Sequence, residues 1–382
     1  MLSGHQMVCL SSLPLEGRPS SWAHLARVFA RHNDVLFVDP PRNILRHTPV
    51  FRGHLCKEPS GMLRLEPPSH LPYGTEIRRR LTGGLNRRRY AAGVARAIRQ
   101  LGWSRPVLWH SMPTMFSADV AELVEPGVEV LYVTDDVWLY PGWTEIDEID
   151  LKRVATAADV VVATTDVIAD RLSVYGVGAD VLPQGVDVSL FEPVAHRALT
   201  VEPALAALPR PRLGFVGQLD WRLDIDVLVE LAASPGSLVL VGPSTLDSRA
   251  VERLRDAGCR LYGEVAYEAV PSWLAGVDIA LVPYKLEPAV VGARPLKLLD
   301  YLAAGLPVVS ADIPAARELA PFVTTAAGPG GFREAVNRMW ARRAADVDDA
   351  DARSARVGLA RENSWERRAE ELSVLIARVG DR

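Results

Sequence analysis

The segment spanning residues 277–310, VDIALVPYKLEPAVVGARPLKLLDYLAAGLPVVS, constrains what this chain can fold into more than any other. It parses as one βαβ unit. Residues 278–283 form a short apolar run, long enough for a buried strand. A loop follows and ends at Gly292, Ala293 and Arg294. Pro295 then stands where a helix takes its first residue, and Gly305 where one stops. Pro307, Val308 and Val309 open the next strand. A loop feeding a helix N-terminus after a parallel strand makes an anion site. Lys297 lies in the first turn, and Asp300 lies on the same face about one turn on, roughly 5 Å of rise. That spacing suits a cation at a diphosphate and a carboxylate at the adjoining ribose; the alternative is an i,i+3 surface ion pair. Only four lysines occur among 43 basic residues, and two of them, Lys285 and Lys297, fall in this unit.

Apolar runs alternate with helical patterns along the whole chain, which predicts α/β architecture with parallel sheets. Strands are expected at 7–10, 34–38, 107–109, 128–133, 160–163 and 180–183, then at 213–216, 237–241, 260–262, 278–283 and 307–310. Helices are expected between them, at 21–31, 85–101, 118–124, 145–157 and 166–175, then at 225–233, 248–257, 270–275, 296–304, 315–319 and 331–341. A length of 382 residues predicts two domains. The boundary is expected between Val186 and Pro211, in proline-punctuated sequence without a strand signal. We divide the chain into a first domain at 1–195, a linker at 196–210, a second domain at 211–360 and a terminal helix at 361–382. Trp365, Ala369, Leu372 and Ile376 give that last helix an apolar stripe. Residues 344–356 read as a linker or a solvated helix.

Three scattered cysteines make neither a disulfide framework nor a metal motif and read as buried thiols in a reducing, cytoplasmic setting. No stretch is long and apolar enough to span a membrane. The N-terminus lacks the pattern of a signal peptide, and residues 1–6 read as a loose leader. A net charge of −4 gives no general pull toward nucleic acid. The basic asymmetry lies at 77–99, with Arg78, Arg79, Arg80, Arg87, Arg88, Arg89, Arg96 and Arg99. It reads either as a solvated helix or as peripheral contact with an anionic membrane surface or acceptor. No interleaved aromatics favour single-stranded nucleic acid.

Pro295-Leu296-Lys297 with Asp300-Tyr301-Leu302-Ala303-Ala304-Gly305-Leu306-Pro307-Val308-Val309 resembles the donor-binding helix of GT-B glycosyltransferases, in the retaining family 4 group. Leu182-Pro183-Gln184-Gly185-Val186-Asp187 with Phe191 resembles the signature closing that family's first domain. Phe215-Val216-Gly217 resembles the loop after the first strand of its second domain. Tyr262-Gly263-Glu264-Val265-Ala266-Tyr267 resembles the loop that holds the donor's base, and Thr134-Asp135-Asp136 falls where an N-domain strand ends at the cleft. The resemblance implies two Rossmann-like domains with parallel sheets facing a central cleft and a C-terminal helix crossing back to the first. It implies transfer of a hexosyl group from a nucleotide sugar to a hydroxyl acceptor, either a cell-envelope glycan or a small molecule. A sugar-nucleotide 2-epimerase or a non-catalytic nucleotide-sugar binder would share the fold.

The chain departs from the family in three places. Asp300 holds the second position of the usual acidic pair, but Gly292 holds the first. Contacts to the sugar hydroxyls are therefore expected from backbone groups of Val291, Gly292 and Ala293. Arg222, in Asp220-Trp221-Arg222, is the candidate first phosphate cation. Asp135 stands where many relatives have a catalytic-site histidine. His110 is the other imidazole placed near the cleft, unless it is a structural histidine at a strand end. The expected catalytic residues are thus Asp135, Arg222 and Lys297. Donor binding is expected at Gly217, Val265, Val291, Gly292, Ala293, Arg294 and Asp300. Asp136, His110 and Trp138 are expected on the acceptor side, with Tyr140, Trp143 and the loop at 11–20 beside them; Trp138 reads alternatively as core. Asp135 and Asp136 are adjacent, so their side chains should diverge, and no metal is expected.

Overall fold

The computed structural model describes the chain apart from residues 18, 73–75, 112–115, 140–141, 345–349 and 381–382, and apart from the side chains of 76–80, 289, 343–344 and 380. The chain divides into two compact units. One holds Met1–Gln184 together with Trp365–Arg382, and the other holds Gly185–Ser364.

The first unit is built on an eight-stranded sheet. Its strands are β1 (Gln6–Leu10), β2 (Asp34–Val38), β3 (His54–Lys57), β4 (Leu63–Glu66), β5 (Val107–His110), β6 (Val128–Val133), β7 (Val160–Ala163) and β8 (Asp180–Val181). They lie in the order β3-β4-β2-β1-β5-β6-β7-β8, parallel except for β3 against β4. All six residues of β6 are buried, as in a strand covered on both faces. The helix Glu76–Gln100 lays Tyr90, Ala91, Val94 and Ile98 on one apolar cluster with Val8 and Leu36. Thr144 and Asp147 form a capping box that starts Glu145–Ala157.

The second unit has six parallel strands: β9 (Arg212–Val216), β10 (Ser237–Val241), β11 (Arg260–Tyr262), β12 (Ile279–Val282), β13 (Val308–Ala311) and β14 (Val323–Ala326). Their order is β11-β10-β9-β12-β13-β14. Chain direction across the sheet therefore switches between β9 and β12. In open α/β sheets, ligands bind outside the strand C-termini at such a switch point. The segments leaving β9 and β12 carry Gly217, Arg222, Tyr284 and Lys297.

Several expectations need correction. The β3–β4 hairpin was not anticipated, because β4 reads as half-charged; its Arg64 is nevertheless buried and bonded to Asp39 at 2.7 Å. The short, threonine-rich β14 was likewise not anticipated. Residues 1–6 are not loose: the Leu2 N–H donates to Ser373 Oγ at 3.0 Å, and that of Gly4 to the His32 carbonyl at 2.9 Å. Residues 185–210 belong with the second unit, where Phe191 and Leu205 are fully buried in its core. Part of 344–356 lies in the helix Ala350–Glu362, whose Arg356 Nε donates to the Gly305 carbonyl at 2.9 Å. Cys9 and Cys259 are buried thiols, and burial pushes the latter up to about 12, whereas Cys56 is only half-buried.

The last helix, Trp365–Gly380, returns to the first unit. Trp365, Ala369, Leu372 and Ile376 are all buried, and the indole stacks on His24 at 5.2 Å with the planes 9° apart. Truncating a large buried aromatic costs about 3–5 kcal/mol. Trp365→Ala should therefore lower the denaturation midpoint of the first unit, followed by circular dichroism in urea. An unchanged midpoint would show that the indole carries no such packing energy.

Candidate active site

In the second unit the site grows from two glycines. Gly217, φ +151°, ends β9, and Gly242, φ +141°, ends β10. A Cβ on Gly242 would stand 2.1 Å from the Gly217 carbonyl oxygen, so the two loops touch backbone to backbone. A Cβ on Gly217 would stand 2.8 Å from Lys297 Cε, so glycine there lets the lysine cross. The Gly217 N–H donates to the Val241 carbonyl at 2.8 Å.

Lys297, in the first turn of Leu296–Ala303, is only 6% exposed. Its Nζ donates to the Tyr284 hydroxyl at 2.7 Å and lies 5.0 Å from the centroid of Phe215. Lys297 is thus a buried cation rather than a surface one. The Arg222 guanidinium lies 5.6 Å from the centroid of the same Tyr284 ring. Asp220 holds it there, accepting from Arg222 Nη2 at 2.6 Å and Nε at 3.0 Å. The two expected phosphate cations are thus gathered around one tyrosine. Asp300 is half-buried on the same helix as Lys297.

Other expected donor contacts are placed differently. The presumed loop before Leu296–Ala303 contains a helical turn, Pro288–Val291. Within it the Val291 N–H donates to Glu287 and that of Ala293 to Val290, so those two amides are already engaged; Gly292 caps the turn. Arg294 is ion-paired with Glu318 rather than left open to an anion. Val265 is half-buried against the core in the segment after β11.

In the first unit, Asp135 and Asp136 follow β6 and their side chains diverge. Asp135 Oδ2 accepts from the Thr134 hydroxyl at 3.0 Å, whereas Asp136 is buried with its carboxylate 2.8 Å from Arg171 Nε. Burial pushes the Asp136 carboxyl up, and Arg171 opposes that only in part. This pairing, rather than an acceptor contact, occupies Asp136. His110 is enclosed in the same way. It is 0% exposed at the end of β5, with Nε2 2.9 Å from Glu129 Oε1 on the neighbouring strand. Trp138 is half-buried, donates its indole N–H to the Tyr175 hydroxyl at 2.8 Å and lies 6.2 Å from the Trp143 ring. Glu148 joins both partners, accepting from Trp143 Nε1 at 3.0 Å and from the Tyr175 hydroxyl. Trp138 is therefore committed to a local cluster. Tyr140 lies outside the described residues. In the 11–20 loop, Ser11 Oγ accepts from Trp22 Nε1 at 2.7 Å and Asp39 accepts from the Leu15 N–H at 2.9 Å.

Sequence reasoning missed Tyr284, Phe215 and Asp220 as the groups that set the two cations. The available signal was position alone: each sits at the C-terminal end of β9 or β12 or in the segment leaving it. Among the described residues, no group of three or more His, Cys, Asp or Glu side chains is placed to hold a metal ion.

Known proteins supply the family context. Residues 210–342 match the family model described as Glycosyl transferases group 1. The Bacillus subtilis protein named "Putative teichuronic acid biosynthesis glycosyltransferase TuaH" is 26% identical over 239 residues, covering 56% of this chain. That alignment spans 57% of the relative, little more than half its length. Sucrose-phosphate synthase from Thermosynechococcus elongatus matches with a TM-score of 0.72 at 16% identity, over 98% of this chain and 99% of its own. HepE from Anabaena, in complex with UDP-glucose, matches with a TM-score of 0.66 at 15% identity, over 97% and 99%. The chain has the GT-B fold, and the segment that matches the glycosyl transferases group 1 model lies within its second unit.

Proposed function

We propose that the protein transfers a hexosyl group from a nucleoside diphosphate sugar to a hydroxyl acceptor. The observation that carries this reading is the pair of cations, Lys297 and Arg222, set around Tyr284 at the switch point of the second sheet. A departing diphosphate gathers negative charge as the anomeric C–O bond breaks. Cations already fixed in place stabilise that charge without reorganising during the reaction. Lys297 is the better fixed of the two, and Arg222 shares its charge with Asp220. Asp300, one helical turn from Lys297, is the candidate for the ribose hydroxyls.

In this reading the second unit takes the donor and the first supplies the acceptor side. Asp135 is the carboxylate proposed to orient the acceptor, since Asp136 and His110 are committed elsewhere. The resemblance to retaining enzymes favours retention, with a leaving-phosphate oxygen taking the acceptor's proton. UDP sugars are the first donors to test, because HepE is described with UDP-glucose. We infer a cytoplasmic protein, peripheral at the inner membrane face; no helix among the described residues is long and apolar enough to cross a membrane.

A thermal-shift series with UDP, GDP, dTDP and ADP sugars should show stabilisation by one base, and product analysis should show the sugar on an acceptor. Isomerised donor without acceptor would instead identify an epimerase, and binding without turnover a non-catalytic protein. Lys297→Ala should reduce turnover about 10²-fold, the scale of losing one preorganised electrostatic contact. Near-normal turnover by the folded variant would remove Lys297 from the mechanism. Tyr284→Phe deletes one hydrogen bond to a charged group while keeping the ring, and should cost about tenfold. Turnover in excess EDTA should equal that in Mg²⁺; loss in EDTA with recovery on adding Mg²⁺ would contradict a metal-free reaction.

A further inference from the structure

We infer that the exposed stripe of the helix Glu76–Gln100 docks on an anionic lipid bilayer. This deepens the peripheral localisation proposed above and stands independently of the donor chemistry. Leu81, Leu85, Arg88, Arg96 and Arg99 are all exposed. At roughly 100° per residue they share one stripe about 80° wide, with Ala92 within it and Gly84 at its edge. The two leucines are bare, at 77% and 52% exposure, while the opposite face is buried in the core of the first unit.

The stripe carries charge as well as apolar surface. No aspartate or glutamate occurs from residue 77 to residue 100. Arg87 turns aside to Asp150 at 3.2 Å and Asp119 at 3.7 Å. Among the described residues, Arg88, Arg96 and Arg99 have no ion-pair partner. More exposed apolar surface lies on the neighbouring segment, with Leu45 at 77% and Phe51 at 70% exposure alongside exposed Arg46 and Arg52. That segment is tied to the helix through residues 69–72. The Ser69 N–H donates to the Val50 carbonyl at 2.7 Å and the Ile44 N–H to His70 at 3.0 Å. The Leu71 N–H donates to Asn86 Oδ1 at 2.8 Å, and the Thr82 hydroxyl to the Pro72 carbonyl at 3.1 Å.

Bare leucines beside unpaired arginines match the two layers of a membrane interface. The leucines enter the acyl boundary, and the guanidinium groups meet anionic headgroups. A nucleic acid would use the cations but would leave the leucines in water, and the stripe has no aromatic ring on which a base could stack.

Co-sedimentation with vesicles tests the assignment. The full chain should sediment with phosphatidylcholine vesicles doped to about one third with phosphatidylglycerol, and be released as salt rises from roughly 0.1 M to 1 M. Arg88→Ser/Arg96→Ser/Arg99→Ser and, separately, Leu81→Ser/Leu85→Ser should each weaken binding about tenfold or more. Arg88→Glu, a single exposed change, serves as the milder variant if the multiple ones lose their thermal transition. The stabilisation of each variant by nucleotide sugar should match that of the parent, which separates this test from the transferase reading. The proposal is overturned by no sedimentation with the doped vesicles, by equal sedimentation with pure phosphatidylcholine, or by indifference to all three variants. Arginine-dependent capture of a single-stranded oligonucleotide in place of vesicles would overturn it equally.

Discussion

A buried ammonium group organises the second unit's site. Removing a charge from water is expensive unless fixed polar partners replace the solvent. Lys297 finds such partners in the Tyr284 hydroxyl and the face of Phe215. Those rings lie on β9 and just beyond β12, the two central strands of the sheet, so the lysine's position is as firm as the sheet itself. The crossing also dictates Gly217, since a methyl group there would press on the lysine's own stem. Gly242 follows in turn, because it packs directly against the Gly217 carbonyl. A site assembled this way has its electrostatics in place before any ligand arrives.

Polar groups of the first unit are used in another manner. His110 lies close to Glu129, Asp136 to Arg171, and Trp138 to Tyr175, which Glu148 joins, so these groups pair within the unit. Asp135 differs from its neighbour in being half-buried, and its carboxylate accepts from the adjacent Thr134 hydroxyl. Two consecutive aspartates thus end in different circumstances in the bend that follows β6.

The same division of labour marks the helix Glu76–Gln100. Its inner face completes the core with Tyr90, Val94 and Ile98, while its outer face carries exposed Leu81 and Leu85 and arginines without an ion-pair partner among the described residues. A stripe of that composition is costly to solubility unless something else covers it.

Periodicity alone determined most of the architecture. Among the described residues, the alternation of apolar runs and helical patterns marked eleven of the fourteen strands and the helix that carries Lys297, since most of the marked strands are parallel, buried and apolar. The strands it did not mark, β3, β4 and β14, are at the sheet edges or polar in composition, where burial depends on partners distant in sequence. Lys297 was singled out for a local reason: it follows a strand and opens a helix, a setting that favours an anion. Tertiary structure decided the rest. Arg294 meeting Glu318, Arg222 meeting Asp220 and Tyr284 meeting Lys297 are choices among several possible partners. Only packing of the strands brings one partner within hydrogen-bond reach and removes the others. His110 shows the limit most plainly: its place at a strand end is local information, but complete enclosure beside Glu129 is a property of the assembled sheet.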